Sequence, residues 1–304
     1  MYDVIVIGSG PAGLTAAIYA ARGGLRTLVL AGSVWGGQLM FTGLVENFPG
    51  FRDGVSGHDL MVAMVEQAKR FGAEIVFEDA SSVDFSMKPF KIASREAVYE
   101  ARAVIIATGS SPRRLGLESE KRFIGRGVSF CAVCDAPLMR GRVAVVVGGG
   151  DTALEEALAL SKYAREVMIV HRRDRLRAAR ILQERAFQEP RIRFLWNCVV
   201  EEIFGSERVE GVRLRRVDSG TSTLVECDGV FVAIGRQPNT QIFRGQVMMD
   251  EAGYILVRDG TMTSVEGVFV AGEAADGRYR QAVVSAGMGC MAAIDAIKYL
   301  EIRG

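Results

Sequence analysis

Histidine is almost missing from these 304 residues: there are two, His58 and His171. A structural zinc site takes four ligands, mostly Cys and His. The chain has one Cys-x-x-Cys pair and no second, so a zinc module is disfavoured and no metal is expected. Excess charge is also lacking. A net charge of +1 argues against steering of the whole molecule to nucleic acid or to an anionic membrane. The first residues, Met1 to Gly8, carry no basic stretch and read as a strand, not a signal peptide. Continuous apolar runs such as Val143 to Val147 have the length of a strand and cannot span a bilayer. These absences favour the cytoplasm, and neither nucleic acid nor membrane is expected as a partner. Five cysteines are too few, and odd in number, for a secreted disulfide scaffold. A close cysteine pair in a reducing compartment does redox or metal work instead.

What is present is a globular composition, 49% hydrophobic and 24% charged, with 35 glycines. The length allows two ordinary domains with cores of their own. Tyr2 to Ile7 is an apolar run that ends in Gly8-Ser-Gly10-Pro11-Ala12-Gly13. Leu14 to Ala21 then reads as a helix and Thr27 to Leu30 as a second strand. This is the context a dinucleotide turn requires. Gly8 allows the tight turn, Gly10 lets a pyrophosphate approach the backbone, Gly13 lets helix and strand pack closely, and the helix N-terminus offers N–H groups to the anion. A carboxylate for the ribose belongs about 20 residues on, near Ala31, yet Leu30-Ala31-Gly32 has none. The ribose contact has to come from elsewhere, and the sequence does not say where.

Gly32 to Phe51 is irregular and glycine-rich. Ser56, with Asp59 three residues on, opens a helix along Leu60, Met64 and Ala68. Glu74 to Glu100 alternates and predicts short antiparallel strands. Val104 to Ala107 is a buried strand ending at Thr108-Gly109. A second strand–turn–helix begins at Arg142 to Val147, followed by Gly148-Gly149-Gly150-Asp151-Thr152-Ala153 and an alanine-rich helix to about Tyr163. Its next strand ends at His171-Arg172-Arg173, with Arg177 beyond. An acid here would favour NAD. Guanidinium groups match a 2′-phosphate and favour NADP, against the plainer reading of a solvated basic segment. Gly235-Arg-Gln-Pro238 echoes Thr108-Gly109-Ser-Ser-Pro112. Gly267 to Ala271 reads as a strand, Gly272-Glu273 follows it, and Arg280 to Leu300 reads as a helix that Asp276, Arg280 and Gln281 open. That last segment is expected to return to the first domain.

Cys131-Ala-Val-Cys134-Asp135 begins a helical turn in which N–H groups can stabilise a thiolate at the first sulfur while the second resolves it. Asp135 can hand a proton to a leaving thiolate; an ordinary N-terminal helix acid is the competing reading. Cys198, Cys227 and Cys290 lie in apolar or small-residue surroundings and read as structural.

Taken together, these segments resemble the low-molecular-weight bacterial-type thioredoxin reductases over essentially the whole chain. The resemblance is carried by Gly8 to Ala17, Gly36-Gly37-Gln38-Leu39, Val45-Glu-Asn47-Phe-Pro-Gly50, Cys131 to Asp135, Gly148 to Ala153, His171 to Asp174 with Arg177, and Tyr279-Arg280-Gln281-Ala282. It implies an α/β fold of two Rossmann-like dinucleotide-binding domains, the second inserted in the first. Residues 1–112 and 241–304 would form an FAD domain, and 113–240 an NADPH domain carrying the dithiol. It implies thioredoxin as the protein substrate and a homodimer. Electrons would pass from NADPH through FAD to Cys134 and Cys131, with Cys131 attacking thioredoxin and Asp135 as acid–base. The flavin contacts would come from Gly8, Gly10, Pro11, Ala12, Gly13, Gly36, Gly37, Gln38, Leu39, Asn47, Thr108, Gly109, Gly272, Glu273, Arg280, Gln281 and Ala282. The nicotinamide dinucleotide contacts would come from Gly148, Gly150, Asp151, Thr152, Ala153, His171, Arg172, Arg173, Arg177 and Gly235. The crossings near Pro112 and Pro238 are hinge candidates for a domain swing. Two positions depart from the family pattern: Glu273 stands where Asp is usual, and Ala136-Pro137 where glycine follows the acid. The alternative is a related flavin-dependent disulfide reductase or dithiol oxidase acting on another partner.

Overall fold

Val4, Ile5, Val6 and Ile7 are all buried, although they point alternately to opposite faces of the Tyr2–Ile7 strand. A strand buried on both faces belongs in the middle of a parallel sheet covered on each side. The computed structural model, which describes residues 1–303, places it there. Two compact units divide the chain, one from Met1–Ser111 with Gln237–Gly304, the other from Pro112–Arg236.

In the first unit the central order is Glu74–Val76, Thr27–Leu30, Tyr2–Ile7 and Val98–Ile106, all parallel. The long Val98–Ile106 strand changes neighbours along its length. Val98 to Ala101 pairs antiparallel with Phe90–Ala93, and Val104 to Ile106 pairs parallel with Val268–Val270. One face packs Val4, Val6, Val29 and Ile105 on alanines of the helices Pro11–Arg22 and Ala282–Arg303. The other buries Ile5, Ile7, Leu28 and Ile106 with Phe85, Phe90 and Phe243. The sheet departs from expectation at one strand. Glu74–Val76 is parallel to Thr27–Leu30, not part of an antiparallel set. The helix Gly57–Arg70 precedes it, and a crossover through a helix returns the chain in the same direction. Ser56 caps that helix through the Asp59 N–H at 3.0 Å.

The C-terminal helix begins at Ala282, two residues later than expected. The Asp276 carboxylate accepts the N–H groups of Arg278, Tyr279 and Arg280 and holds that stretch as a loop, with Arg280 at φ 54°. Ala282–Ile302 is long and apolar enough, by length and composition, to cross a membrane. Here Ala292, Ala293, Ala296 and Leu300 are buried in the core of the first unit, as in the core helix of a globular domain.

In the second unit a parallel sheet runs Val128–Ser129, Gly229–Val232, Val143–Val147, Glu166–His171, Ile192–Trp196. Beside it stands an antiparallel sheet of Cys198–Phe204, Gly211–Arg216 and Ser222–Glu226. The two chain crossings, Ser110–Pro112 and Arg236–Pro238, pair as a two-stranded ribbon.

Candidate active site

The first glycine turn joins the Tyr2–Ile7 strand to the Pro11–Arg22 helix. Gly8 has φ 109°, and a Cβ there would sit 2.3 Å from the Ala107 carbonyl oxygen. A Cβ on Gly13 would sit 1.9 Å from the Gly8 oxygen. At both positions only glycine fits. Gly10 differs, because a Cβ there would meet nothing within 4 Å. The space over Gly10 is open, and the helix it begins has no side-chain cap and no acid in its first turn. Its leading N–H groups are left to an anion.

Other segments of the same unit gather on this turn. A Cβ on Gly37 would meet the Gly10 Cα at 3.3 Å, which brings Gly36 and the start of the short helix Gly37–Phe41, with Gln38 and Leu39 in it, alongside. Ser9 makes the join: its hydroxyl donates to the Ala31 carbonyl at 2.6 Å and accepts the Gly36 N–H at 2.9 Å. Gly272, φ 70°, lies against Ala12, and its neighbour Glu273 accepts a hydrogen bond from the Ser110 hydroxyl. Gly109, φ 66°, follows Thr108. Asn47 donates to the Gln281 side chain at 3.2 Å, joining two segments far apart in sequence, just ahead of Ala282. Among the described residues, Thr108 Oγ1, Arg280 Nε and Glu78 Oε2 are buried without a hydrogen-bond partner. Buried polar atoms are rarely left so, and Thr108 and Arg280 were expected at the flavin. The residues present thus fit a bound polar group.

Sequence reasoning missed two residues here. Ser9 occupies one of the variable positions of the glycine motif, where any residue is allowed, so no motif marks it. Glu78 lies past the end of the neighbouring strand. Its carbonyl accepts the Gly32 N–H at 3.1 Å, which sets it beside the place where the ribose acid was absent. Its neighbour Asp79 is committed to Ser33, accepting both its N–H and its hydroxyl. Only strand pairing reveals this proximity, because the two positions are far apart in sequence.

The second glycine turn repeats the design. A Cβ on Gly148 would sit 2.5 Å from the Ala233 oxygen, one on Gly150 would meet nothing within 4 Å, and Ala153 is fully buried. Gly150 begins the Asp151–Leu160 helix without a side-chain cap, and Thr152 lies in its first turn. Asp151 turns away to accept the Ala179 N–H at 2.6 Å. Gly235, φ 105°, accepts the Arg113 N–H at 2.9 Å. His171 is buried beneath Gly149, with Nε2 3.1 Å from the Arg175 carbonyl oxygen. The Arg177 N–H donates to the Gly149 oxygen at 2.8 Å, so this arginine lies beside the turn. Arg172, Arg173 and Arg177 are exposed. Burial holds the His171 imidazole below its usual range, and the positive charges of Arg177, Arg173 and Arg172 push it the same way. That arginine field is what a phosphate dianion would neutralise.

Cys131 and Cys134 form a disulfide with Cα atoms 5.4 Å apart. Cys131 is the N-cap of the Ala132–Asp135 helical turn, and its Sγ accepts the Cys134 N–H at 3.2 Å. Ala132 and Ala136 are buried with Ala153, Leu154 and Ala157, so the dithiol turn packs on the helix that opens at the second glycine turn. Asp135 follows at the end of the turn, and burial pushes its carboxyl up. Cys198, Cys227 and Cys290 are free.

Residues 2–289 match the family described as pyridine nucleotide-disulphide oxidoreductase. Thioredoxin reductase from Streptomyces clavuligerus is 50% identical over 301 residues, covering 98% of this chain and 94% of that protein. NADPH-dependent thioredoxin reductase 3 from Arabidopsis thaliana is 49% identical over 98% of this chain, which spans 58% of that protein's length. Among solved structures, thioredoxin reductase from Giardia duodenalis superposes with a TM-score of 0.93 at 42% identity, over 99% of both chains.

Proposed function

The chain belongs to the pyridine nucleotide-disulphide oxidoreductase family, among its thioredoxin reductases, and on that premise we propose that it passes electrons from NADPH to the disulfide of thioredoxin. In this reading the first unit holds FAD and the second holds NADPH and the dithiol. The partner is a thioredoxin, the working form a homodimer and the compartment the cytoplasm. The flavin, when bound, supplies the two-electron carrier that links a hydride donor to a disulfide.

The protein's own residues supply the rest. The uncapped N–H groups after Gly10 and after Gly150 receive the two pyrophosphates. Thr108 and Arg280 have polar atoms to offer the flavin, and Glu273 is held by Ser110. Glu78 takes the place of the ribose acid that the second strand lacks. Arg172 and Arg177 receive the 2′-phosphate. Once reduced, the dithiol acts by exchange. The Cys131 thiolate, favoured by the Cys134 N–H, attacks one sulfur of the protein disulfide and releases the other as a thiolate. Cys134 then attacks Cys131 Sγ, frees the second substrate sulfur and restores the Cys131–Cys134 disulfide. Two electrons leave the dithiol and two enter the substrate. Asp135, with its carboxyl raised by burial, gives a proton to a leaving thiolate.

The observation that carries this reading is the disulfide capping a helical turn in the same unit as an arginine-flanked dinucleotide turn. It is tested by following NADPH oxidation by the purified flavoprotein with its host's thioredoxin, beside NADH and beside no thioredoxin. Fast NADPH loss that needs thioredoxin, and that Cys134→Ser abolishes, supports it. Equal turnover by Cys134→Ser sinks the exchange mechanism.

A further inference from the structure

The sequence echo at Gly235-Arg-Gln-Pro238 leads to a residue that neither the glycine turns nor the dithiol uses. Asn239 follows the Arg236–Pro238 strand, and its hydrogen bonds reach back to the segment around the other crossing. Its main-chain N–H donates to the Gly109 carbonyl at 3.0 Å. Its side-chain Nδ2 donates to the Thr108 carbonyl at 3.0 Å. Its Oδ1 accepts the Ser111 hydroxyl at 3.0 Å. The orientation of the amide follows from its partners: a carbonyl can only accept, so the NH2 faces Thr108 and the oxygen is left for the hydroxyl.

That segment borders the first glycine turn. A Cβ on Gly8 would lie 3.1 Å from the Thr108 Cα. Nearly every polar group along the segment is committed. The Ala107 N–H donates to the Ile7 carbonyl at 2.8 Å. The Thr108 and Gly109 carbonyls are held by Asn239. The Ser110 hydroxyl donates to Glu273 and the Ser111 hydroxyl to Asn239. The Thr108 hydroxyl is the exception: its Oγ1 is buried and has no partner in the protein. A buried hydroxyl is rarely left so.

We propose that Asn239 is a positioning residue for the flavin: it pins the Thr108–Gly109 turn and so holds the Thr108 hydroxyl ready for a hydrogen bond to bound FAD. The two peptide planes that follow Thr108 each have their carbonyl fixed by Asn239. Gly109 takes φ 66°, so the chain turns here and could rotate freely at the glycine without that restraint. Threonine is branched at Cβ and stiff about χ1. Once the backbone is fixed, the direction of its hydroxyl is fixed with it. Asn239 thus acts on the cofactor through Thr108 and does not need to touch it.

This inference rests on Thr108 as a flavin contact, and the test separates the two claims. Release of FAD from the diluted holoenzyme is followed by the rise of free-flavin fluorescence, for the wild type, Thr108→Val, Asn239→Ala and the double variant. Thr108→Val keeps the shape and loses the hydroxyl, and is expected to release FAD about tenfold faster, the size of one lost hydrogen bond. Asn239→Ala is expected to match it. The double variant should release FAD no faster than either single one, because both changes remove the same contact. Asn239→Asp keeps the bond from Ser111 and loses the donor to Thr108, so it should behave as Asn239→Ala, and it serves alone should Asn239→Ala not fold. Single effects that multiply in the double variant, to about a hundredfold, overturn the proposal, since Asn239 then acts independently of Thr108. Release at the wild-type rate from Asn239→Ala or Asn239→Asp overturns it as well. Release at the wild-type rate from Thr108→Val removes Thr108 from the flavin site and the inference with it, whatever the Asn239 variants do. A wild type that holds no FAD removes the flavin reading as a whole, and this inference falls with it.

Discussion

At the scale of single residues, two glycines of one motif have opposite reasons to be glycine. Gly13 is excluded from any other choice by the Gly8 oxygen, 1.9 Å from where a Cβ would lie. Gly13→Ala is expected to cost the folded protein about 2 kcal/mol or more through the clash, read as a lower melting temperature with or without FAD. Gly10 meets nothing, so Gly10→Ala should melt like the wild type when free of flavin. It should bind FAD at least tenfold more weakly, by fluorescence titration, because a methyl group stands where the pyrophosphate approaches. Equal FAD affinity would mean that the open space over Gly10 is not the phosphate site. His171 gives a pH prediction. Its folded pKa lies below its ordinary value of 6.5, so as pH falls through and below that value the unfolded chain takes up a proton that the folded chain refuses. The contribution of this group to stability is complete above pH 6.5 and is lost as pH drops. Thermal melts between pH 7.5 and 5.5 should fall more steeply for the wild type than for His171→Asn. Burial also pushes the Cys227 thiol up to about 12, so this cysteine should resist alkylation in the native protein and react on unfolding.

At the scale of elements, the strand–turn–helix units place each glycine turn at the C-terminal edge of a parallel sheet, and the next strand end decides which dinucleotide suits it. The end of Glu166–His171 leads into Arg172, Arg173 and Arg177, held by the Arg177 N–H to the Gly149 oxygen. Arg172→Ala with Arg177→Ala should raise KM for NADPH by about ten- to a hundredfold, the range of a lost charge-assisted contact. NADH use should be nearly unchanged. NADPH kinetics like those of the wild type would remove the 2′-phosphate assignment. These turns and their helices were legible from glycine spacing alone. The parallel pairing of Glu74–Val76 was not, because a short alternating strand carries no mark of its partner's direction.

At the scale of the whole molecule, the two units should answer to different ligands. Amide exchange of the apoprotein with added FAD should slow in Gly8 to Gly13, Gly36 to Leu39 and Gly272 to Ala282. NADP⁺ added to the holoenzyme should slow exchange in Gly148 to Ala153 and Arg172 to Arg177. Protection by NADP⁺ at Gly8 to Gly13 in place of Gly148 to Ala153 would reverse the assignment of the units.

What the sequence determined by itself is what depends on neighbours along the chain: both glycine turns, the dithiol, the arginines, and the strands and helices that flank them. A turn needs its glycines within a few residues, and a redox pair needs two thiols one helical turn apart, so local spacing carries the signal. Tertiary structure alone decided what depends on pairing across the fold. Glu78 stands beside Gly32 because two strands run parallel, Ser9 gathers Ala31 and Gly36, and the last helix covers the first through matched alanines. Backbone hydrogen bonds between strands are blind to side-chain identity, and small residues pack against many surfaces, so neither leaves a pattern that spacing can read.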